Sequence, residues 1–150
     1  MKSFKLMFTI VFFWGTTLLY AQTEQKTNFL KDVITIVNES KLAKADKLYE
    51  SFAYSRAIVL YNELANNNYS LSQVERKLAS CHRLIGRMDS AETWYARVVE
   101  QDSISADDVY HYAQTLRSNR KYDESDKWMK KFHEMNREDS RGKKHIESVD

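Results

Sequence analysis

The stretch Leu78–Val98, LASCHRLIGRMDSAETWYARV, reads as two helices joined by a tight turn. Leu78, Ala79 and His82 fall on one helical face, and so do Ala91, Tyr95 and Val98. Gly86 separates the two runs. Small residues stand where the two helices would touch, so this is a helical hairpin.

The same unit recurs upstream and downstream with one period. Ala45, Ala79 and Ala113 are spaced by 34 residues, as are Ala57, Ala91 and Ser125. Tyr54, Met88 and Tyr122 form a third column, and Leu48, His82 and Leu116 a fourth. Tyr61, Tyr95 and Met129 make the fifth; Leu64, Val98 and Phe132 make the sixth. Each column keeps a size class. Small residues let two antiparallel helices approach, and the bulky columns fill the grooves around them. A helix of a dozen residues is marginal alone, so each pair depends on stacking against the next.

These columns resemble the tetratricopeptide repeat (TPR), over three consecutive units from about Asn38 to Phe132. Leu78–Ala79, Ala91 and Tyr95 fall on that family's pattern positions, although the closing proline is absent throughout. The resemblance implies an all-α, TPR-like solenoid of three 34-residue repeats at 38–136; the flanks themselves read as an N-terminal capping helix at 22–37 and a polar tail at 137–150, either a short helix or disordered. Local signals agree. The repeat helices are expected at about Ser40–Ser51, Tyr54–Ala65, Ser72–Glu100 (a pair) and Ser105 onward, the last helix running from Tyr122 to Met135. Ser72 with Glu75 has capping-box spacing, and Ser105 precedes Asp107 and Asp108. Asn66–Asn68 reads as a helix end. Leu30, Val33, Ile34 and Val37 make an i, i+3, i+4, i+7 stripe outside the repeat columns.

With 43% hydrophobic and 29% charged residues, no proline and three glycines, a single all-helical domain is expected. Residues 1–21 differ from the rest. Lys2 and Lys5 precede an apolar run from Leu6 to Tyr20, closed by Ala21. That is the pattern of a secretory signal peptide cleaved before Gln22, which would leave no integral span; the alternative, favoured by the large Leu19 and Tyr20, is an uncleaved anchor. The run is shorter than the ~20 residues a spanning helix needs. Removing Lys2 and Lys5 from 23 basic residues leaves 21, against 21 acidic ones. A neutral mature chain gives no reason to expect nucleic acid as a partner. Cys81 is the lone cysteine, so no intramolecular disulfide is available, and a small buried hydrophobe is its expected role.

No catalytic constellation is evident, and no cofactor or metal site is expected. His82 occupies a packing column, and His111, His133 and His145 lack ligand spacing. What such a fold offers is a concave groove lined by the first helix of each pair. Counting along the period, its positions are Leu42, Asp46 and Tyr49, then Arg76, Ser80, Arg83 and Leu84, then Tyr110, Gln114 and Arg117. Tyr49, Arg76, Arg83, Tyr110, Gln114 and Arg117 are the candidate partner-binding residues, because Arg and Tyr anchor interfaces. Ala45, Ala57, Ala79, Ala91, Ala113 and Ser125 are the candidate packing residues. TPR grooves that hold the acidic C-terminus of cytosolic chaperones use Lys and Asn at set positions. Here those positions read Leu42, Asp46, Lys77, Asp107 and His111, and the two Asp would repel a carboxylate.

The run Ala45–Ala57 and the phrase Asp139-Ser-Arg-Gly-Lys-Lys are similar to the N-terminal region of OmpA-family Gram-negative envelope proteins. In these a signal peptide and TPR units precede a β-propeller and an OmpA-like domain, and some serve secretion and gliding machinery. The sequence stops at Asp150 before either of those domains, as expected of a fragment of that longer architecture or of a stand-alone TPR protein. The resemblance implies a periplasmic or outer-membrane-associated scaffold that binds other envelope proteins or peptides. The alternative is a structural spacer or self-associating module that docks through its C-terminal end face, near Lys131–Ile146.

Overall fold

A computed structural model describes the backbone of residues 2–69 and 71–149 and the side chains of residues 22–69 and 71–144. Among the described residues seven helices follow one another: α1 (Lys2–Glu50), α2 (Tyr54–Asn66), α3 (Leu71–Leu84), α4 (Met88–Val99), α5 (Ala106–Ser118), α6 (Tyr122–Met135) and α7 (Ser140–Val149). No strand occurs among the described residues. The chain divides into two compact units, Met1–Ser40 and Lys41–Asp150.

In the first unit, the stripe of Leu30, Val33, Ile34 and Val37 is exposed. The helix expected at 22–37 has no end of its own, because α1 continues unbroken to Glu50. No glycine, proline or turn cluster lies between Gln22 and Glu50 to stop it. The signal-peptide reading of residues 1–21 lies outside the described side chains. No helix is long and apolar enough to cross a membrane among the described residues.

The second unit is a series of hairpins, and one turn makes each of them. Backbone N–H groups of Ala53, Arg87 and Lys121 donate to the carbonyls of Leu48, His82 and Leu116, each at 2.9 Å. This six-to-one bond is the Schellman closure of a helix, and it requires a left-handed residue just before the donor. Phe52 (φ 60°), Gly86 (φ 78°) and Arg120 (φ 63°) are those residues, again 34 apart. The donor then starts the next helix without any side-chain cap at Ala53, Arg87 or Lys121. Asn68 (φ 53°) ends α2 in the same way, through Tyr69 N–H to Leu64 C=O.

Within the pairs, Ala45, Ala57, Ala79, Ala91 and Ala113 are fully buried, as are Leu64, Val98 and Phe132. Ser125 is also buried, and its hydroxyl donates to the Ala113 carbonyl across the helix contact at 2.9 Å. An alanine-sized column thus accepts one hydroxyl without leaving a buried polar atom unsatisfied. The Tyr54 column is less enclosed, with Tyr122 exposed. Trp94 and Trp128 each pack against core clusters on both sides of them, joining one pair to the next.

Polar ties repeat between pairs. Glu92 accepts from Asn119 (2.7 Å) and Lys121 (2.6 Å). Gln101 accepts from Ser72 (2.6 Å) and donates to Glu75 (2.7 Å). The expected Ser72/Glu75 capping box is therefore absent. Helix α3 starts one residue earlier, which places Ser72 inside the first turn and turns both side chains toward Gln101. The capping box that does form is Ser105 with Asp108, at the start of α5.

Residues 137–150, read as a polar tail, hold α7, which packs on α6. Gly142 is buried there. A Cβ on it would lie 3.1 Å from His133 Cβ and 3.2 Å from His133 Cα, so the helices approach where no side chain fits. Arg141, one residue before, lies over the rings of Tyr110 (4.3 Å) and Phe132 (5.1 Å) and pairs with Asp107 and Asp139.

Candidate functional site

Six residues from three helices enclose a cleft of about 290 Å³: Arg83, Met88, Tyr110, His111, Gln114 and Ser118. Arg83 comes from the last turn of α3 and Met88 from the first residue of α4. The other four lie along one side of α5, at spacings that share a helical face.

The cleft owes its polar character to a difference between pairs. Asp46, Ser80 and Gln114 occupy equivalent positions, as do Tyr61, Tyr95 and Met129. In the first pair, the buried Tyr61 hydroxyl donates to Asp46 Oδ1 at 2.6 Å. Burial, reinforced by that carboxylate, pushes the Tyr61 phenol well above its ordinary pKa. In the second pair, the Tyr95 hydroxyl lies 3.4 Å from Ser80 Oγ and 3.4 Å from Arg83 Nε. Met129 has no hydroxyl to offer in the third pair. The Gln114 side-chain amide therefore faces the cleft without a hydrogen-bond partner among the described residues.

The acidic groups nearby are already engaged. Asp108 Oδ2 accepts from Arg76 Nε at 2.9 Å and from the Ser105 backbone at 3.0 Å. Asp107 and Asp139 both pair with Arg141, at 2.9 and 2.7 Å. Hydrogen bonds from Arg141 hold the Asp139 carboxyl down to about 2. Among the described residues Arg83 has no carboxylate partner, only its long contact to Tyr95. Burial, and then the Arg83 charge, hold His111 below the ordinary histidine pKa, so its imidazole is neutral at pH 7. The ring stacks on Tyr95 at 6.3 Å and meets Tyr110 edge-on at 5.5 Å.

Of the six candidate partner-binding residues, the structure gathers Arg83, Tyr110 and Gln114 into this cleft. Arg76 is not with them. Its guanidinium binds Asp108, Ser72 (2.8 Å) and the Ser103 carbonyl, tying one pair to the next. Tyr49 contacts Tyr54 edge-on at 5.4 Å and carries the Lys77 ammonium over its ring at 4.0 Å. Arg117 is exposed outside the cleft lining. Sequence counting did not select Met88, His111 or Ser118 as binding residues. Met88 was read as a packing column, and the 34-residue period carries no sign that the start of α4 turns into the groove.

The cleft offers donors at Arg83, Gln114 and Tyr110 and an apolar wall at Met88, which suits an anionic or amide-bearing ligand beside an aliphatic group. Buried Cys81 supplies no nucleophile, since burial pushes its thiol up to about 12. No cluster of three or more His, Cys, Asp or Glu with metal-holding geometry occurs among the described residues.

No protein-family model and no curated protein matches the sequence. Among solved structures, the fold is similar to the second TPR domain of human RPAP3, whose NMR structure is a complex with the HSP70 peptide SGPTIEEVD. The TM-score is 0.62 at 13% identity, over 73% of this chain and 92% of that domain. At that identity the likeness concerns fold alone. The 34-residue columns, the repeated turns and this superposition lead to one conclusion: the chain has an all-helical, TPR-like fold.

Proposed function

We propose that this protein is a protein–protein interaction scaffold that holds a segment of its partner in the cleft formed by α3, α4 and α5. The observation that carries this reading is the convergence of Arg83, Tyr110 and Gln114, whose polar groups are left without strong partners where neighbouring groups are paired. Unsatisfied donors in a concave site gain most from an added acceptor. The RPAP3 domain holds a peptide, which supports the same use of this fold. The finer reading is a scaffold of the bacterial cell envelope, periplasmic or outer-membrane associated and akin to the N-terminal region of OmpA-family proteins. Its support is the signal-peptide pattern of residues 1–21 and the similarity of Ala45–Ala57 and Asp139–Lys144 to that region.

Site-specific photo-cross-linking tests the groove. A benzophenone amino acid at Tyr110 is expected to cross-link a partner in cells, whereas one at exposed Lys130 on α6 is not. Equal yields at both positions would remove the groove assignment. Cell fractionation with N-terminal sequencing tests export: a mature chain beginning at Gln22 in the envelope fraction is expected, and an intact cytosolic chain contradicts it.

A further inference from the structure

We infer that the cleft takes a side-chain carboxylate, an Asp or Glu inside the partner's peptide segment, on Arg83 and Gln114. The inference rests on the peptide-groove reading above and adds the ligand's chemistry to it.

Charge complementarity is the first argument. Arg83 is half-buried, and the carboxylates of Asp107, Asp108 and Asp139 around α5 are already committed to Arg141 and Arg76. A partly desolvated guanidinium without a counter-ion gains most from an incoming carboxylate, through charge-assisted hydrogen bonds. Gln114 Nε2 can supply a second donor because Met129 replaces the tyrosine that engages this position in the other pairs. The volume of about 290 Å³ admits a side chain and its immediate neighbours but not a folded element. Met88 on the wall favours an aliphatic residue beside the acid.

His111 lines the same cleft as Arg83 and Gln114, so a carboxylate bound there also acts on its imidazole, which takes up a proton. Arg83 approaches from α3, Tyr95 from α4, Asp107 and Tyr110 from α5, and Arg141 from α7. Burial and the two guanidinium groups disfavour imidazolium, while Asp107 favours it. A carboxylate on Arg83 cancels the larger of the two repulsions and adds an attraction. The imidazole then accepts a proton from water, and no other group needs to change its charge. By linkage, a complex that binds more protons than its free components forms more tightly as pH falls. The tightening begins as pH drops below the His111 pKa of the complex and is complete below the lower pKa of the free protein.

The test uses the whole protein and a library of random peptides displayed as internal loops, with no free C-terminus, beside a second library displayed with free C-termini. Enriched internal peptides are expected to share one Asp or Glu, flanked by an aliphatic residue. A synthetic peptide of that sequence, acetylated and amidated, is expected to bind Arg83→Gln at least about tenfold more weakly, the scale of one lost charge-assisted hydrogen bond. Replacing its acid by the amide should cost a similar factor. Gln114→Leu, which leaves Arg83 in place, should cost about threefold. Affinity should rise as pH falls below about 6.5, the ordinary histidine value, for the natural protein and stay flat for His111→Gln. Circular dichroism of each variant separates lost binding from lost fold. Enriched peptides without an acidic position, or equal binding by Arg83→Gln, overturn the carboxylate. Enrichment only with free C-termini assigns the site to a chain end and overturns the side-chain source. A flat pH profile in the natural protein overturns the proton at His111. No enrichment from either library overturns the peptide-groove reading itself.

Discussion

Met129 is a small change with a large local effect. It fills the space of a tyrosine but leaves the neighbouring groove position unengaged, so Gln114 becomes available to a ligand. At Gly86 the constraint is on the backbone alone. Nothing lies within 4 Å of a Cβ built there, yet φ is 78°. Gly86→Ala is therefore expected to cost about 1 kcal/mol, all of it from the left-handed backbone, and Gly86→Asn less. Urea denaturation measures both, and equal losses for the two would contradict that cause. His82 adds a pH dependence. Its imidazole is buried in the core, and Nδ1 lacks a hydrogen-bond partner. Burial, then the Arg87 charge, hold it below the ordinary 6.5. The unfolded chain takes the proton first, so this contribution to stability is complete above pH 6.5 and is lost as pH falls toward the depressed folded value. His82→Leu, which matches Leu48 and Leu116 of its column, is expected to flatten the acid side of the stability profile. An unchanged profile would show that other groups, His111 among them, carry the dependence.

At the scale of the element, pairing is decided by small residues and by turns. Ala79→Leu would overpack the α3–α4 contact at a cost of about 1–3 kcal/mol, read as a drop in the urea midpoint. At the other end, α7 is held by a narrow foothold at Gly142 and Arg141. Gly142→Ala places a methyl against the His133 backbone and Cβ, and α7 must move away by a few tenths of an ångström. Faster amide hydrogen exchange in residues 140–149 is expected, with α3–α5 unaffected; unchanged exchange would mean that another contact holds the helix. Element positions were largely readable from the residues. Tyr122 begins α6 and Met135 ends it, as the period and the change to polar residues imply. The course of α1 was not readable in the same way. A break was expected between the helix at 22–37 and the repeat helix from about Ser40, but polar residues without glycine or proline do not stop a helix already under way. Nor did Phe52 and Arg120 advertise their left-handed turns, because only the middle unit places a glycine there.

Across the whole molecule, spacing alone revealed the repeat, because burial imposes a size on every column and the size recurs with the unit. The site was less legible. Groove positions could be counted, but which of them are available depends on contacts between residues far apart in sequence. Arg76 and Arg83 look alike along the chain, yet Arg76 is consumed by Asp108 in the next pair while Arg83 has no acid partner among the described residues. The same holds for Asp46 and Gln114, which differ through Tyr61 and Met129. The groove groups free to meet a partner are therefore those that remain, among the described residues, after the pairs have tied themselves together. Arg83, Tyr110 and Gln114 are such groups, and they gather in the cleft proposed as the binding site at α3, α4 and α5. Titrating the isotope-labelled protein with a peptide it selects, and following side-chain and amide NMR signals, tests this most directly. Arg83, Tyr110, His111 and Gln114 are expected to shift first and most, with Val59 on α2 and Lys130 on α6 unmoved. Shifts centred on other residues, with those four unchanged, would contradict it.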